Sequence, residues 1–319
     1  MPTRDPLYGQ LVTVFGGSGF IGIHLAQQLL ERGARLRVAS RHPEEAWSLK
    51  PLANLGQLQF VRCNVLDERN VRACVDGAYG VVNLVGSFEG NLEKLMGDAA
   101  GMMARAAKEA GARAFVEVSA IGADIEAESE YAYAKGLGEE KVRAAFPEAT
   151  IMRPSVVFGE DGGIVKMFAD LIQMMPALPV FAPEAPMQLV HVDDVAEGIT
   201  AALVDPGTHG GKIYELAGPE KVTMMQLNRR IAEAQRRKRL FAPMPDAVGS
   251  FFSALPGSPM GPDQWKLLKA GNVASGQHPG LAKLGVEPKP LSLFLDRMMV
   301  RYRKHGRFAD RTGIAPGTN

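Results

Sequence analysis

QLVTVFGGSGFIG, from Gln10 to Gly22, is the stretch whose reading decides the fold. Leu11, Val12, Val14 and Phe15 form the short, apolar, β-branched run of a buried strand. Phe20 to Leu30 repeats its apolar positions at helical spacing and stops at Gly33. Between them lies Gly16-Gly17-Ser18-Gly19. A strand, a glycine turn and a helix in this order make a phosphate cradle. Gly16 permits the tight turn, Gly19 lets the backbone approach a pyrophosphate, and Gly22 lets the helix lie close to the strand. Amide N–H groups and the positive end of the helix dipole then face the anion. The spacing is G-x-x-G-x-x-G rather than the commoner G-x-G-x-x-G, so the flanking strand and helix carry the reading over that of a merely tight turn.

The same alternation continues. Arg35 to Ser40 (RLRVAS), Leu58 to Arg62, Tyr79 to Val85, Ala114 to Ser119 and Ala149 to Arg153 read as further strands. Helices are expected at Asn91 to Ala110, with Met96 and Met103 as core filling, and at Tyr131 to Phe146. Strands alternating with helices imply right-handed crossovers and an α/β fold, a doubly wound parallel sheet with helices on both faces. Residues 1–160 would form this dinucleotide-binding domain, and 161–319 a smaller, mainly helical region, with residues near 188–217 returning to the core. Ser155 to Gly163 reads as a loop, Ile164 to Met175 as a helix and Pro176 to Pro186 as a connector. Asp193 or Asp194 would cap the helix Val195 to Val204. His191 reads better as a packed structural histidine than as a ligand. Lys212 to Ala217 would add a strand, and Thr223 would cap Met224 to Gln235.

The second strand runs into Ser40-Arg41, and the first acid after it is Glu44. An acid at the end of that strand takes a ribose 2′-hydroxyl, whereas an arginine accommodates a 2′-phosphate. Arg41 and the Ser40 hydroxyl therefore point to NADP(H), with NAD(H) still admitted.

The totals bound the class. The 319 residues are 46% hydrophobic, enough for one large domain or two fused ones. Two cysteines, Cys63 and Cys74, argue against a disulfide framework and for a reducing compartment. The first ten residues lack a secretory signal, and no apolar run is long enough to span a bilayer, so a cytoplasmic protein, at most attached to a membrane from one side, is expected. Residues 1–205 carry 18 Lys and Arg against 27 Asp and Glu, net −9, and residues 206–319 carry 18 against 8, net +10. This asymmetry points to an anionic partner or surface for the C-terminal third, or to a self-complementary interface between the two parts. The basic residues accompany no nucleic-acid recognition motif.

Ser119, Tyr131 and Lys135 form the candidate catalytic constellation. Ser119 ends a strand at the carboxyl edge of the sheet, where such sheets bind ligands. Tyr131 and Lys135, four apart, share a helical face. A lysine ammonium favours a nearby phenolate, a serine hydroxyl can polarise a carbonyl oxygen, and the phenol can then pass the proton. The plainer alternative is a packing tyrosine and a solvated lysine.

GGSGFIG, the strand-end serine, Tyr131-x-x-x-Lys135, Arg153-Pro154-Ser155-x-x-Phe158-Gly159 and His191-Val192-Asp193-Asp194-Val195-Ala196 together resemble the extended or atypical short-chain dehydrogenase/reductases, the group of the NAD-dependent epimerase/dehydratases. The resemblance covers roughly residues 10–220. It implies that Gly16, Ser18, Gly19, Phe20, Ile21 and Gly22 line the pyrophosphate, Ser40 and Arg41 the 2′-phosphate, and Asn64 and Val65 the adenine. Leu84, Val85 and Gly86 would lie along the cofactor, Lys135 on the nicotinamide ribose, and Pro154, Ser155 and Val156 near the nicotinamide. Within that group, VTVFGGSGFIG, YAYAKGLGEEKVRAAFPEATIMRPSVVFG and the basic C-terminal region look most like the family of NADPH-binding accessory subunits of respiratory complex I and their bacterial relatives. That likeness implies a nucleotide held structurally, complex I as partner and a peripheral place at a membrane. Without an import leader, the implied setting is the bacterial cytoplasm, with possible attachment to the inner-membrane face. The retained Ser119, Tyr131 and Lys135 keep an active oxidoreductase, epimerase or dehydratase as the alternative. No residue pattern implies a metal.

The C-terminal third leaves two readings open. Arg236-Arg237-Lys238-Arg239 precedes Leu240, Phe241, Phe251, Phe252 and Leu255, and Leu291 to Tyr302 interleaves apolar residues with Arg297, Arg301, Arg303 and Lys304. Apolar bulk beside basic charge suits an anionic lipid surface or acidic partner. It also suits a lid whose apolar residues pack on the core.

Overall fold

A computed structural model describes residues 5–303 other than Pro256 and Pro259. Lys304 lies outside the described residues. The chain runs β1 (Leu11–Phe15), α1 (Phe20–Glu31), β2 (Arg35–Ser40), β3 (Leu58–Arg62), α2 (Glu68–Val75), β4 (Gly80–Asn83), α3 (Ala99–Glu109), β5 (Ala114–Val118), α4 (Glu130–Ala145) and β6 (Thr150–Pro154). It continues through β7 (Val157–Gly159), α5 (Gly163–Met174), β8 (Ala177–Val180), β9 (Pro186–Met187), β10 (Val190–His191), α6 (Val192–Val204), α7 (Pro206–His209), β11 (Ile213–Leu216) and β12 (Val222–Thr223). The last elements are α8 (Met224–Ala234), β13 (Leu240–Pro243), α9 (Asp246–Ala254), α10 (Pro262–Ala270) and α11 (Leu291–Met299).

Seven strands form one sheet in the order β11-β6-β5-β4-β1-β2-β3, parallel at every pairing. The order reverses between β1 and β4, and the crevice outside the carboxyl ends of the strands at such a switch point is where open α/β sheets take ligands. Strands covered on both faces need apolar residues pointing both ways, which is why β1, β4 and β5 are almost continuously buried. Leu25 and Leu29 of α1 and Val195 and Ile199 of α6 pack on one face with Val12, Val14 and Val116. On the other, Val71 of α2, Met103 of α3 and Val142 of α4 pack with Phe15, Val81 and Phe115. A third core joins α5, α8 and α11 through Val165, Ile172, Leu227, Ile231, Leu295 and Met299.

Four local expectations are corrected. The helix from Asn91 to Ala110 is interrupted by a π-helical turn at Glu93–Asp98, where the Met96 carbonyl meets α4 at Gly138. The fourth strand stops at Asn83, short of Val85, because the Asn83 side-chain oxygen accepts the Val85 N–H (3.0 Å) and turns the chain. Loop and connector residues 155–186 contain strands: β7 pairs with β10, and β8 with β13. Finally, His191 rather than an aspartate caps α6, its Nδ1 accepting the Asp193 N–H at 3.4 Å. The His191 ring stacks on Phe294 (centroids 3.8 Å apart) and stands edge-on to Phe158, the setting of a packed histidine. Thr223 does cap α8, in a reciprocal box with Gln226.

Freed from capping, the aspartates tie elements together. Asp193 pairs with His24 of α1 at 2.6 Å. Asp194, fully buried, accepts the Lys289 backbone N–H at 2.8 Å and its ammonium at 2.7 Å. On β11, the buried Glu215 accepts the Ser275 N–H (2.7 Å) and hydroxyl (2.8 Å). The chain beyond 270 is thus fastened to the parallel sheet by carboxylates. Asp194→Ala strands the Lys289 N–H without its acceptor; a loss of about 1–3 kcal/mol in urea unfolding is expected.

Candidate functional site

The crevice is built first from backbone. Gly16 adopts φ +74°, a conformation that disfavours side chains, and a Cβ there would also sit 3.3 Å from the Leu84 carbonyl carbon. A Cβ on Gly22 would fall 2.6 Å from the Gly17 backbone, so α1 lies against the glycine turn as closely as two backbones can. Gly19 caps α1 with its backbone, leaving the first-turn amides aimed along the helix axis into the crevice.

The expected cofactor residues surround this tip. Leu84 and Val85 run beside Gly16, and a Cβ on Gly86 would meet open space. Phe20 turns sideways and packs beneath the Gly159 and Gly162 backbone, and Ile21 faces the core. Ser40 ends β2 with its Oγ buried and lacking a hydrogen-bond partner, while Arg41 is exposed. At the next strand end, Val65 is buried, and the Asn64 side chain accepts the Leu66 N–H at 3.1 Å. Pro154 accepts the Ile121 N–H through its carbonyl (3.0 Å), and the Val156 N–H donates to the Asn272 side chain (2.8 Å). The Ser155 hydroxyl is turned away, donating to the Gln188 carbonyl.

The candidate catalytic residues reach the same crevice but do not form a triad by direct contact. Lys135 is buried, and its ammonium donates to the carbonyls of Val85 (3.0 Å) and Val118 (2.7 Å), joining the ends of β4 and β5. Burial lowers its pKa, with Glu117 and Glu139 opposing. Ser119 follows directly, its N–H donating to the Met152 carbonyl and its buried Oγ without a partner. Tyr131 stacks on Phe88 (centroids 4.5 Å apart), and burial pushes its phenol up to about 12.

These observations fit a dinucleotide. A cradle closed to side chains suits a diphosphate, and two buried hydroxyls, Ser40 Oγ at the end of β2 and Ser119 Oγ directly after β5, lack hydrogen-bond partners. No cluster of metal-ligating side chains occurs among the described residues.

Fold and crevice define a Rossmann protein with a nucleotide cradle, and the comparisons place it more closely. A family model described as NAD(P)H-binding matches residues 16–206. The chain is 31% identical over 314 residues to the mouse mitochondrial "NADH dehydrogenase [ubiquinone] 1 alpha subcomplex subunit 9", covering 95% of this chain and 83% of that protein. The Arabidopsis thaliana protein of the same name is 30% identical, with 95% and 80% covered. In fold, a nucleoside-diphosphate-sugar epimerase from Staphylococcus aureus superposes with TM-score 0.72 at 16% identity, covering 90% of this chain and all of that one. The chain belongs to the NAD(P)H-binding family and, within it, to the family of these alpha subcomplex subunits.

Three groups at the site escape a reading of the sequence. Arg62 lies level with Ser40 in the parallel pairing of β2 and β3, a second arginine beside the strand end, marked in the sequence only by closing the run LQFVR. Phe88 covers the Tyr131 ring from a loop without periodicity. Asp263, 132 residues beyond Tyr131, caps α4: its carboxylate accepts the N–H groups of Glu130 (2.8 Å) and Tyr131 (3.1 Å) and the Ser129 hydroxyl (3.0 Å). No sequence signal connects positions so far apart. Asp263→Ala should cost about 1–2 kcal/mol of stability, and amide hydrogen exchange should accelerate at Glu130 and Tyr131 while the centre of α4 stays protected.

Proposed function

We propose that this chain holds NADP(H) as a structural group and serves as an accessory component of an NADH:ubiquinone oxidoreductase. The observation that carries the reading is the 31% identity, along 95% of the chain, to a protein bearing a complex I subunit's name. The site's electrostatics agree with it. Burial holds the Tyr131 phenol protonated well above neutral pH, and the Lys135 ammonium that would favour the phenolate is engaged by two carbonyls. A tyrosine so disposed is a poor general base. In this reading the α1 tip grips the diphosphate, Lys135 meets the nicotinamide ribose, and Ser40 with Arg41, joined by Arg62, takes a 2′-phosphate.

The partner surface is read on the C-terminal side. Leu291, Leu295, Met298, Met299 and Tyr302 are buried, as a lid would have them. Several basic residues are spent within the chain: Arg237 donates to the Tyr302 carbonyl, Arg239 to Ile172, Arg303 to Ala234, and Arg297 pairs with Glu160. An apolar stripe remains outside. Met167, Leu171 and Met174 lie along one face of α5, beside Met175 and Leu240, with Met174 and Leu240 79% and 74% exposed. The exposed Lys238 flanks it. Such a surface suits a hydrophobic partner or an anionic membrane face. Among the described residues no helix is long and apolar enough to cross a membrane. Peripheral attachment through this stripe, from the cytoplasmic side, is the arrangement proposed.

One observation favours a second reading, an active oxidoreductase: the orphaned Ser119 hydroxyl at the crevice. There Ser119 would polarise a substrate carbonyl, Tyr131 would exchange the proton, and Lys135 would orient the ribose. A bound nicotinamide would supply or accept the hydride.

Membranes solubilised in mild detergent separate the readings: the chain should migrate with NADH dehydrogenase activity on a native gel. Migration solely as a free oligomer would overturn the accessory role. The purified protein should release unoxidised NADPH on denaturation, and Arg41→Glu should weaken NADPH binding at least tenfold more than NADH binding, on the order of one charge-assisted contact. Tyr131→Phe should leave nucleotide retention unchanged.

A further inference from the structure

One charged side chain in the crevice wall has no part in the reading above. Glu117 is the next-to-last residue of β5, 1% exposed, where a strand buried on both faces would ordinarily carry an apolar residue. It stands at one end of a chain of contacts. The Asn83 amide donates to Glu117 Oε2 at 2.7 Å, and the same side chain's oxygen accepts the Val85 N–H at 3.0 Å. The Val85 carbonyl accepts the Lys135 ammonium, and the Lys135 charge is close enough to favour the ionised form of Glu117. Glu117 thus touches both things that the crevice requires of this wall: the course of the Leu84–Gly86 segment, through Asn83, and the charge balance of Lys135.

We infer that Glu117 is a positioning residue for the nucleotide, holding Asn83 and through it the Val85 segment that receives Lys135 and, by gaining or losing its proton, making the affinity of the crevice for the dinucleotide depend on pH. This rests on the NADP(H)-holding reading. The charged groups facing Glu117 are Lys135 and Glu139, both from α4; Asn83 from β4 is neutral. Glu139 is committed to Arg153 of β6 through two hydrogen bonds of 2.8 and 2.7 Å, so Lys135 is the cation left to answer Glu117. Burial pushes the Glu117 carboxyl up to about 7, against the pull of Lys135 and of the Asn83 hydrogen bond and with a push from Glu139. Below that pH the protonated acid leaves the Lys135 charge uncompensated beside the crevice, which favours a polyanionic ligand. Above it the carboxylate cancels that charge and affinity falls.

Glu117→Gln keeps the shape and the acceptor for Asn83 but cannot ionise, and Glu117→Met is a second uncharged variant. NADPH dissociation constants of wild type and both variants are measured by nucleotide fluorescence at pH 5.5, 7.0 and 8.5. Taking the ratio of wild type to variant removes the titration of the nucleotide's own phosphates. The ratio should be near one at pH 5.5 and rise to about fivefold at pH 8.5. A merely structural role would shift it equally at every pH, and a constant ratio overturns the inference. Unfolding provides a readout without nucleotide. A folded-state pKa raised from 4.5 towards 7 means that ionisation disfavours the fold, so wild type should lose stability relative to Glu117→Gln as pH rises through that window. Absence of NADPH binding by wild type at every pH would overturn the nucleotide reading and the affinity claim with it. A stability difference that is flat from pH 5 to 8 would overturn the titration of Glu117 itself.

Discussion

The near-contact of two backbones, Gly22 on Gly17, is the constraint from which the rest of the molecule follows. Because no side chain intervenes, α1 starts immediately over the carboxyl end of β1, and its unpaired N–H groups are delivered to the point where the strand order reverses. Everything else at the crevice is arranged around that fixed tip. β4 must end early so that Leu84 and Val85 can pass beside Gly16, and Asn83 ends it. Lys135 then bridges β4 to β5 across the gap that opens. The amide cradle is supplied by geometry alone, whereas the opposite wall is held by a buried network of one amide and four charged groups: Asn83, Glu117, Lys135, Glu139 and Arg153. Burying these charges is tolerable because each is answered within hydrogen-bonding reach or by an opposite neighbour.

The chain beyond residue 206 completes this arrangement rather than standing beside it. β11 extends the parallel sheet next to β6. Asn272 holds the Val156 N–H just beyond β6, and Asp263 closes the first turn of the helix that carries Tyr131 and Lys135. Phe20, on the first turn of α1, packs beneath the Gly159–Gly162 loop, whose Glu160 is gripped by Arg297 and Arg301. The basic character of the C-terminal third is therefore partly internal. Among the described residues, Arg237, Arg239 and Arg303 each donate to a backbone carbonyl of another element or its flank.

Much of the fold was legible because it depends on local pattern. The run LVTVF, the glycine spacing and the apolar period of α1 are contiguous, and each carries its own meaning. The same holds for the parallel strands, which announce themselves as apolar runs of the right length, and for Thr223 with Gln226. The less legible features arise from contacts between distant residues. Nothing in NLEKLMGD announces a π-helical turn, and its close neighbour, Gly138 beside the Met96 carbonyl, is some forty residues away in sequence. The aspartates after His191 look like caps, yet partners at positions 24 and 289 claim them and leave His191 to cap. The candidate site divides the same way. Its glycines and strand ends could be read in order, while Asp263, Phe88 and Arg62 acquire meaning only from register and proximity. Glu117 reads as an anomaly within AFVEV, and only the structure supplies its partners.

The tie between Asp263 and α4 bears on how the protein can be divided. The segment matched by the NAD(P)H-binding model closes at residue 206, and a fragment cut there would look self-sufficient on paper. Such a fragment would forfeit the edge strand β11, the carboxylate over the opening turn of α4 and the amide that steadies Val156. The nucleotide pocket is thus finished by chain synthesised after its cradle, and a nascent or truncated polypeptide would hold its glycine turn ready while the facing wall was still incomplete.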